Sequence, residues 1–362
     1  MQIKRFDSSK NRSLRAHNAA DEYLLEKYNS FEEKPDHLGI YFDRFGFLTA
    51  HVHADQPICV LTQKSQEKAI LANCAANKLS EPEFSDPLSP LLKPVDFALI
   101  QVPKSIAQLE LCLHHIAQNS SEHVTVILGF MTRHFTPSLL EICSKYFESV
   151  EQSRAVKKAR LITLTGKKEQ TTKDLMDLVE FDGFKYKQYY GVFSAKHIDY
   201  ATQFFVEHLD LRPSDERILD IGSGNGIISK VIRTRMPDAE LHLLEDSYLA
   251  YESGQLNLTG ISIHHHYDNN LDSFEDKSFD LIVTNPPFHF EYEINIETPI
   301  RLFKECVRCL KPGGRLQIVA NKHLNYLTHL KPIFRTVEVL NENEKFIIYH
   351  CSMYCSDRES VL

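Results

Sequence analysis

The chain has 362 residues, 43% of them hydrophobic and 25% charged, which favours a folded soluble protein with two domains. No run reaches the roughly 18 apolar residues of a membrane span, and the first thirty residues lack the apolar core of a signal peptide. Eight cysteines without framework spacing indicate a reduced, cytoplasmic protein, and the net charge of −8 leaves nucleic acid binding to local basic patches.

The first half carries a faint series of strand and helix signals. Strands are predicted at 38–42, 95–102, 124–128 and 160–164, with a helix at 109–117. The run 165–185 is polar and charged, so we predict a linker there. Basic residues crowd two segments of this half, at Lys4, Arg5, Lys10, Arg12 and Arg15 and at Arg154, Lys157, Lys158, Arg160, Lys167, Lys168 and Lys173.

The second half alternates strands and helices more clearly. Strands are predicted at 217–221, 241–244, 261–264, 279–283 and 315–319; helices at 227–235, 247–258 and 298–310; and a closing hairpin at 336–340 and 346–351. This order predicts an α/β fold with a doubly wound, mostly parallel sheet. The first half follows a similar order but lacks the glycine-rich turn described below. We therefore predict two tandem Rossmann-like domains, residues 1–172 and 173–362, the first degenerate.

A glycine-rich turn separates the strand at 217–221 from the helix at 227–235. Gly222, Gly224 and Gly226 allow the backbone to approach a ligand closely, and the helix beyond them presents free N–H groups. These features fit any nucleotide. Asp220, at the end of the strand, would repel a pyrophosphate but would attract a cationic amino acid group.

Two later positions extend this hypothesis. Glu245 ends the next predicted strand, where a carboxylate can accept hydrogen bonds from both ribose hydroxyls. Asn269 and Asn270 follow the third strand, where a side chain can reach an adenine amine. Together with Asp220, these residues favour S-adenosyl-L-methionine over NAD as the cofactor.

The fourth strand ends in Asn285-Pro286-Pro287-Phe288, which faces the same crevice in this topology. The Asn285 side chain and the Pro286 carbonyl could each accept one N–H of a conjugated amine. The amine lone pair would then point at the methyl group, with the carbonyl directions fixed in advance by the prolines. Phe288 offers a ring for stacking on a flat substrate. We predict these four residues to be catalytic, with Asn285 also beside the cofactor.

The motifs DIGSGNG and TNPPF resemble those of S-adenosylmethionine-dependent amino-group methyltransferases. Asn-Pro-Pro-Phe-His is similar to the bacterial ribosomal RNA guanine-N2 methyltransferases, whose first half is a degenerate methyltransferase-like domain. The large-subunit branch is indicated by AHNAADEYLLE (16–26), VPKSIAQLE (102–110), CLKPGGRLQIVANKHLNY (309–326) and NEKFIIYH (343–350). GVFS at 191–194 also matches, and the resemblance implies that Phe193 lies beside the cofactor or the target base.

This resemblance implies methyl transfer to the N2 amine of a guanine in large-subunit (23S) ribosomal RNA, with the first domain holding RNA. Two alternatives keep the chemistry and change the substrate: a guanine of small-subunit (16S) RNA, or the amide nitrogen of a protein glutamine. The expected RNA is deproteinised or an early assembly intermediate, and the protein is expected to be a monomer without a membrane partner. We also expect no metal, because neighbouring residues of His264-His265-His266 would point to opposite faces of a strand.

Overall fold

The structure is a computed structural model that describes residues 1–6, 15–170, 174–194, 197–286, 289–290, 293–294 and 297–353. Contacts divide the chain into two units, Met1–Leu175 and Met176–Leu362. The boundary predicted between residues 172 and 173 lies outside the described residues. Each unit contains one seven-stranded sheet with helices packed on it.

The first unit alternates strands and helices. Its elements are α1 (Ala19–Asn29), β1 (Leu38–Tyr41), α2 (Phe47–His51), β2 (Ile58–Val60), α3 (Lys64–Ala76), β3 (Glu83–Ser85), β4 (Val95–Gln101), α4 (Ile106–Gln118), β5 (Ser120–Met131), α5 (Pro137–Tyr146), β6 (Phe147–Gln152) and β7 (Ala159–Lys167). The strand order is β3-β2-β1-β4-β5-β7-β6. Strand β7 is antiparallel to both of its neighbours, β5 and β6.

The second unit begins with a separate hairpin and then repeats this plan. Its elements are β8 (Met176–Phe181), β9 (Phe184–Tyr189), α6 (Tyr200–Glu207), β10 (Arg217–Ile221), α7 (Ile227–Arg235), β11 (Glu240–Glu245), α8 (Tyr248–Asn257), β12 (Ile263–Tyr267), β13 (Phe279–Thr284), β14 (His289–Phe290), β15 (Glu293–Ile294), α9 (Glu297–Cys309), β16 (Leu310–Asn321), α10 (Leu327–Leu330), β17 (Thr336–Glu342) and β18 (Phe346–Ser352). The main sheet has the order β12-β11-β10-β13-β16-β18-β17.

The two sheets share one topology, which confirms the predicted pair of tandem Rossmann-like domains. In each, five parallel strands are followed by an antiparallel pair, so β18 and β17 correspond to β7 and β6. Strand β10 and helix α7 have the predicted bounds. Strand β12 begins two residues later than predicted, because Gly260 and the fully exposed Ile261 still belong to the preceding turn.

The linker predicted at 165–185 contains the boundary between the two units, but it is partly folded into strands. It contains the end of β7, all of β8 and the first residues of β9. Asp182 and Gly183 have φ values of 49° and 76°, and they form the two-residue turn that joins β8 to β9. The Asp-Gly pair is the sequence signal for this hairpin, whereas its strands bury few residues and lack a strong apolar pattern.

The first unit has a turn of the same length at the place of the glycine turn, with a positive φ at its first and last residues. Between β1 and α2 the sequence reads Phe-Asp-Arg-Phe-Gly, the same five-residue length as the Gly-Ser-Gly-Asn-Gly segment between β10 and α7. Phe42 has a φ of 61° and Gly46 a φ of 80°, against 68° at Gly222 and 85° at Gly226. Phe42 and Phe45 are both buried. The first copy therefore carries Phe42 and Arg44 at the positions of Gly222 and Gly224 in the second.

Candidate active site

Four adjacent strands of the second unit end at one edge of the sheet. The parallel register pairs Ile221 with Leu244 and with Thr284, and Glu245 with Tyr267. The carboxyl ends of β12, β11, β10 and β13 therefore lie side by side. In doubly wound sheets this edge forms the ligand crevice.

The glycine turn is tied to the end of the neighbouring strand. The N–H groups of Gly222 and Ser223 donate to the Leu244 carbonyl, at 2.8 and 3.2 Å. The N–H of Gly224 donates to Oε2 of Glu245 at 2.8 Å. Gly222, Gly224 and Gly226 all have positive φ, a backbone conformation that glycine adopts with less strain than other residues.

Asp220 is buried at the end of β10, below the glycine turn. Its Oδ2 accepts a hydrogen bond from the Ser229 hydroxyl at 2.7 Å. Its Oδ1 is also buried and has no hydrogen-bond partner within the described part of the chain. Burial raises the pKa of Asp220 to about 7. A cationic donor at Oδ1 would satisfy this atom and favour the carboxylate.

Glu245 ends β11 with its carboxylate held by the backbone. Oε2 accepts from Gly224 as above, and Oε1 accepts from the N–H of Ser247 at 2.9 Å. These bonds fix the carboxylate orientation while each oxygen keeps a second lone pair for a ligand hydroxyl. Burial raises the pKa of Glu245 to about 7.

The two asparagines after β12 differ in their surroundings. The Asn269 side-chain oxygen is buried and, among the described residues, has no hydrogen-bond partner. The Asn270 side chain instead closes a local turn, since it donates to the Asp272 carboxylate at 2.7 Å and accepts from the Asp272 N–H at 3.2 Å. Asn269 is therefore the better placed of the two predicted cofactor contacts.

Asn285 follows β13 and is anchored through its amide nitrogen. Nδ2 donates to Oδ2 of Asp199 at 3.1 Å and to the Thr202 hydroxyl at 2.9 Å. The side-chain carbonyl oxygen therefore points away from these two acceptors. Pro286 is buried, whereas Pro287 and Phe288, also predicted to be catalytic, lie outside the described residues.

The Asn285 anchor comes from the start of α6. Asp199 is the N-cap of this helix and also accepts from the Thr202 N–H at 3.1 Å. Asp199 and Thr202 are not among the site residues predicted from the sequence. An Asp three residues before a Thr signals a helix start, but it does not say what the cap contacts.

Phe193 lies on the turn after β9, with 73% of its surface exposed. Gln188, which is fully buried, connects this turn to the glycine turn. Its Oε1 accepts from the Asn225 side chain at 2.7 Å and its Nε2 donates to the Ser194 carbonyl at 3.4 Å. Gln188, which was not predicted as a site residue, thus ties the turn that carries Phe193 to the glycine turn. The contact of Phe193 with a cofactor or base stays a prediction.

These residues fit S-adenosylmethionine. Asp220 Oδ1 and Asn269 Oδ1, two of the buried atoms without a hydrogen-bond partner in the described residues, are both acceptors. The cofactor's amino acid ammonium and its adenine amine are both donors, and its ribose hydroxyls suit Glu245. An acid directly below the turn does not suit a pyrophosphate.

Comparisons with known proteins agree with this assignment. Residues 1–168 match the family model described as "RLMG N-terminal domain", and residues 183–350 match "Methyltransferase small domain". The solved 16S rRNA N2 methyltransferase of T. thermophilus, in complex with AdoMet and guanosine, superposes with a TM-score of 0.75. That likeness covers 93% of this chain and 92% of that one at 19% identity, so it bears on the fold alone. Fold and site define a two-domain methyltransferase whose cofactor is S-adenosylmethionine.

Two curated relatives carry the same name. Ribosomal RNA large subunit methyltransferase G of Pseudoalteromonas translucida is 30% identical over 352 residues, covering 94% of this chain and 92% of the relative. The enzyme of the same name from Shewanella loihica is 30% identical over 367 residues, covering 96% and 91%. The chain belongs to the ribosomal RNA large subunit methyltransferase G family.

Two further observations concern the helices and the cysteines. Across the described ranges, every helix is too short or too polar to cross a bilayer. The seven cysteines within those ranges are all buried free thiols.

Proposed function

We propose that the chain transfers a methyl group from S-adenosylmethionine to the exocyclic N2 amine of a guanine in large-subunit (23S) ribosomal RNA. The relatives named above support the RNA class. The observation that carries the proposed chemistry is the anchoring of Asn285, whose amide nitrogen is bound to Asp199 and Thr202. This arrangement presents an oxygen, not an N–H, to a substrate amine.

Asn285 and Pro286 would act as paired acceptors. The N2 lone pair of guanine is delocalised into the ring, so the amine is a weak nucleophile until its N–H groups are held. Acceptance of one N–H by the Asn285 side chain and one by the Pro286 carbonyl would draw the nitrogen toward tetrahedral geometry. S-adenosylmethionine supplies the electrophilic methyl group. The work of the protein is then positioning and electrostatic preorganisation.

Aromatic contacts would hold the base. Phe288 follows the two prolines and would stack on the guanine, and Phe193 offers an exposed ring on the turn bound to Gln188. The guanine must leave its stack to enter, which costs a few kcal/mol and is easier in single-stranded loops. We therefore expect the target to lie in such a loop.

The first domain would bind RNA through its basic residues. Arg154, Lys157 and Lys158 are exposed in the loop between β6 and β7. Lys167 and Lys168, by contrast, are only partly exposed and donate to the backbone carbonyls of Ser120 and Ser144, whereas the contact of Lys157 is an ion pair with Glu22 at 3.2 Å that leaves the lysine 73% exposed. The loop residues are therefore the better candidates for phosphate contacts, which depend on exposed charge.

The roles of the two domains, the cellular location, the oligomeric state and the form of the RNA substrate belong to the same proposal. The domain that holds RNA is residues 1–172 and the catalytic domain is residues 173–362. The enzyme would act in the cytoplasm, as a monomer, on deproteinised RNA or an early assembly intermediate.

Methylation in vitro with labelled S-adenosylmethionine tests this function. The substrates are deproteinised large-subunit RNA, assembled large subunits and small subunits, with N2-methylguanosine mapped by mass spectrometry. We expect label in large-subunit RNA as N2-methylguanosine. Label in small-subunit RNA would select the first alternative, and label only in protein would select glutamine methylation. Either result would overturn the proposal.

Asn285→Ala tests the role of the acceptor in the same assay. Loss of one preorganised contact should lower kcat by about 10²–10³-fold. Binding of S-adenosylmethionine, measured by calorimetry, should be largely retained. Unchanged turnover would contradict the assigned role.

A further inference from the structure

A cluster of imidazoles and a carboxylate lies on the edge of the second domain's sheet. Glu240 and His242 are two residues apart on β11, and His264 and His266 are two residues apart on the edge strand β12. The register pairs His242 with His264 and places His266 beside Leu244. The His242 ring stacks on His264 at 4.7 Å between centroids and on His266 at 5.2 Å.

The expectation that three successive histidines cannot converge holds only along one strand. His265 does point to the opposite face, where its Nε2 contacts the Leu258 carbonyl at 2.8 Å. His264 and His266 share the other face, however, and further ligands come from β11, more than twenty residues earlier. The convergence results from strand pairing.

Three of these side chains can reach one ion. Oε1 of Glu240 is 2.9 Å from Nε2 of His242 and 3.4 Å from Nε2 of His264. One ligand atom from each of the three residues lies within 4.8 Å of the others. Tetrahedral zinc with bonds of about 2.0–2.1 Å separates its ligand atoms by about 3.4 Å. Small side-chain rotations would therefore bring the three atoms to coordination distance.

The His242 ring is already oriented for this role. Its Nδ1 lies 2.9 Å from Nε2 of His266, and its Nε2 accepts from Nε of Arg217 at 3.2 Å. Oε1 of Glu240 also lies 2.9 Å from this Nε2, so the nitrogen that would bind the ion faces a second candidate ligand while Nδ1 contacts His266. A histidine ligand in metal sites is fixed in the same way, because its other ring N–H donates to a neighbouring group.

We propose that Glu240, His242 and His264 form a binding site for a divalent transition metal of the zinc class, with water at the fourth position. Two imidazoles and one carboxylate are borderline ligands that suit Zn²⁺ and not the oxygen-preferring Mg²⁺ or Ca²⁺. Solvent can deliver the ion, because the Glu240 and His264 side chains are 40% and 42% exposed. The site would join β11 to β12, and it is independent of the methyl transfer chemistry.

Arg217 competes for this site. Its Nε is 3.5 Å from Oε1 of Glu240 as well as 3.2 Å from His242, so its cation occupies the position of the ion. Metal entry must displace this guanidinium. The structure therefore predicts that removal of the Arg217 charge strengthens metal binding, a result that no incidental surface histidine would give.

Zinc titration of the full chain without a histidine tag, with all thiols kept reduced, tests the proposal. We expect one Zn²⁺ per chain, with affinity lowered about tenfold or more in His264→Asn and in Glu240→Gln and raised in Arg217→Met. Co²⁺ in place of zinc should give the absorption of a four-coordinate site, and His264→Asn should lose it. His123→Asn, which removes an exposed histidine of the first domain, should change neither measurement.

Circular dichroism of each variant without metal checks that it is folded, which the partial exposure of Glu240 and His264 favours. Absence of zinc binding to the wild-type chain would overturn the proposal. So would equal affinity in the wild type, His264→Asn and Glu240→Gln, because the ion would then lie elsewhere.

Discussion

The anchoring of Asn285 predicts a graded loss of turnover in variants of Asp199 and Thr202. Asp199→Ala removes a charged hydrogen bond to the Asn285 amide, a contact worth about 1.5–3 kcal/mol, and it leaves the side chain free to turn its N–H groups toward the substrate. If this energy is lost from the transition state, kcat falls by about 10- to 150-fold. Thr202→Val removes the neutral partner, worth about 1 kcal/mol, and should lower kcat about fivefold.

Asp199→Asn is the conservative variant. Its side-chain oxygen can still accept from Asn285 and cap α6, so its kcat should lie between those of the wild type and Asp199→Ala. Steady-state methylation at saturating RNA and cofactor measures kcat, and calorimetry measures cofactor affinity. The loss should appear in kcat, with cofactor affinity close to that of the wild type, because Asp199 acts through Asn285.

Loss of the helix cap is a separate effect of Asp199→Ala, worth about 0.5–2 kcal/mol of stability. Ser105→Ala is the matched control, because Ser105 caps α4 in the first domain through a hydrogen bond from the Gln108 N–H. Ser105→Ala should lower the midpoint temperature of thermal unfolding by about as much as Asp199→Ala does, and it should leave kcat unchanged. Wild-type turnover in Asp199→Ala, or an equal loss in Ser105→Ala, would refute the positioning argument.

Three further predictions concern cofactor affinity, RNA binding and the free energy of unfolding. Burial raises the pKa of Asp220 to about 7, so cofactor affinity measured by calorimetry should increase from pH 6 to pH 8 as the carboxylate forms. Charge reversal of Lys157 and Lys158 together should weaken RNA binding and reduce its salt dependence, measured by filter binding at several salt concentrations. Asp215→Ala should lower the free energy of unfolding by about 3–5 kcal/mol, measured by urea denaturation followed by circular dichroism, because Arg315 would remain buried without its carboxylate.

Each of these expectations has a control and a contradicting result. Asp220→Asn should reduce the pH dependence of cofactor binding, with the remainder due to Glu245, whose pKa is also raised to about 7, and an unchanged profile would exclude Asp220 as a cause. Reversal of the exposed Lys331 and Lys345 in the second domain should leave the salt slope intact. Asp280→Ala breaks a more exposed pair with Lys311 and should cost less than Asp215→Ala, so equal losses would refute the burial argument.

Buried carboxyls also set the sign of the stability change with pH. The folded Asp220 has a pKa of about 7, against about 3.9 in an unfolded chain. Between these values the folded state holds a proton that the unfolded state has lost. The contribution of Asp220 to the free energy of unfolding therefore falls as the pH rises from about 4 to about 7. Saturating cofactor should reduce this slope, because its cation favours the carboxylate.

The sequence alone determined the plan of the second domain. Apolar runs bounded by glycine and proline gave β10 and α7 their bounds, because buried parallel strands are nearly continuous in hydrophobic residues and the glycine turn is needed for its positive φ values. It also placed Asp220, Glu245 and Asn285 at strand ends, which the topology then brings to one edge. The hairpin β8–β9 could have been found from Asp182-Gly183, but the polar strands beside it concealed the signal.

Only the tertiary structure decided which distant residues meet. Asp199 and Asn285 are 86 positions apart, and the contact that orients the amide depends on how α6 packs beside the end of β13. Glu240 and His264 converge only because β11 and β12 pair in one register, since a shift of one residue would turn His264 to the other face. Local patterns specify strands, turns and caps, whereas register and packing specify the partners of each side chain.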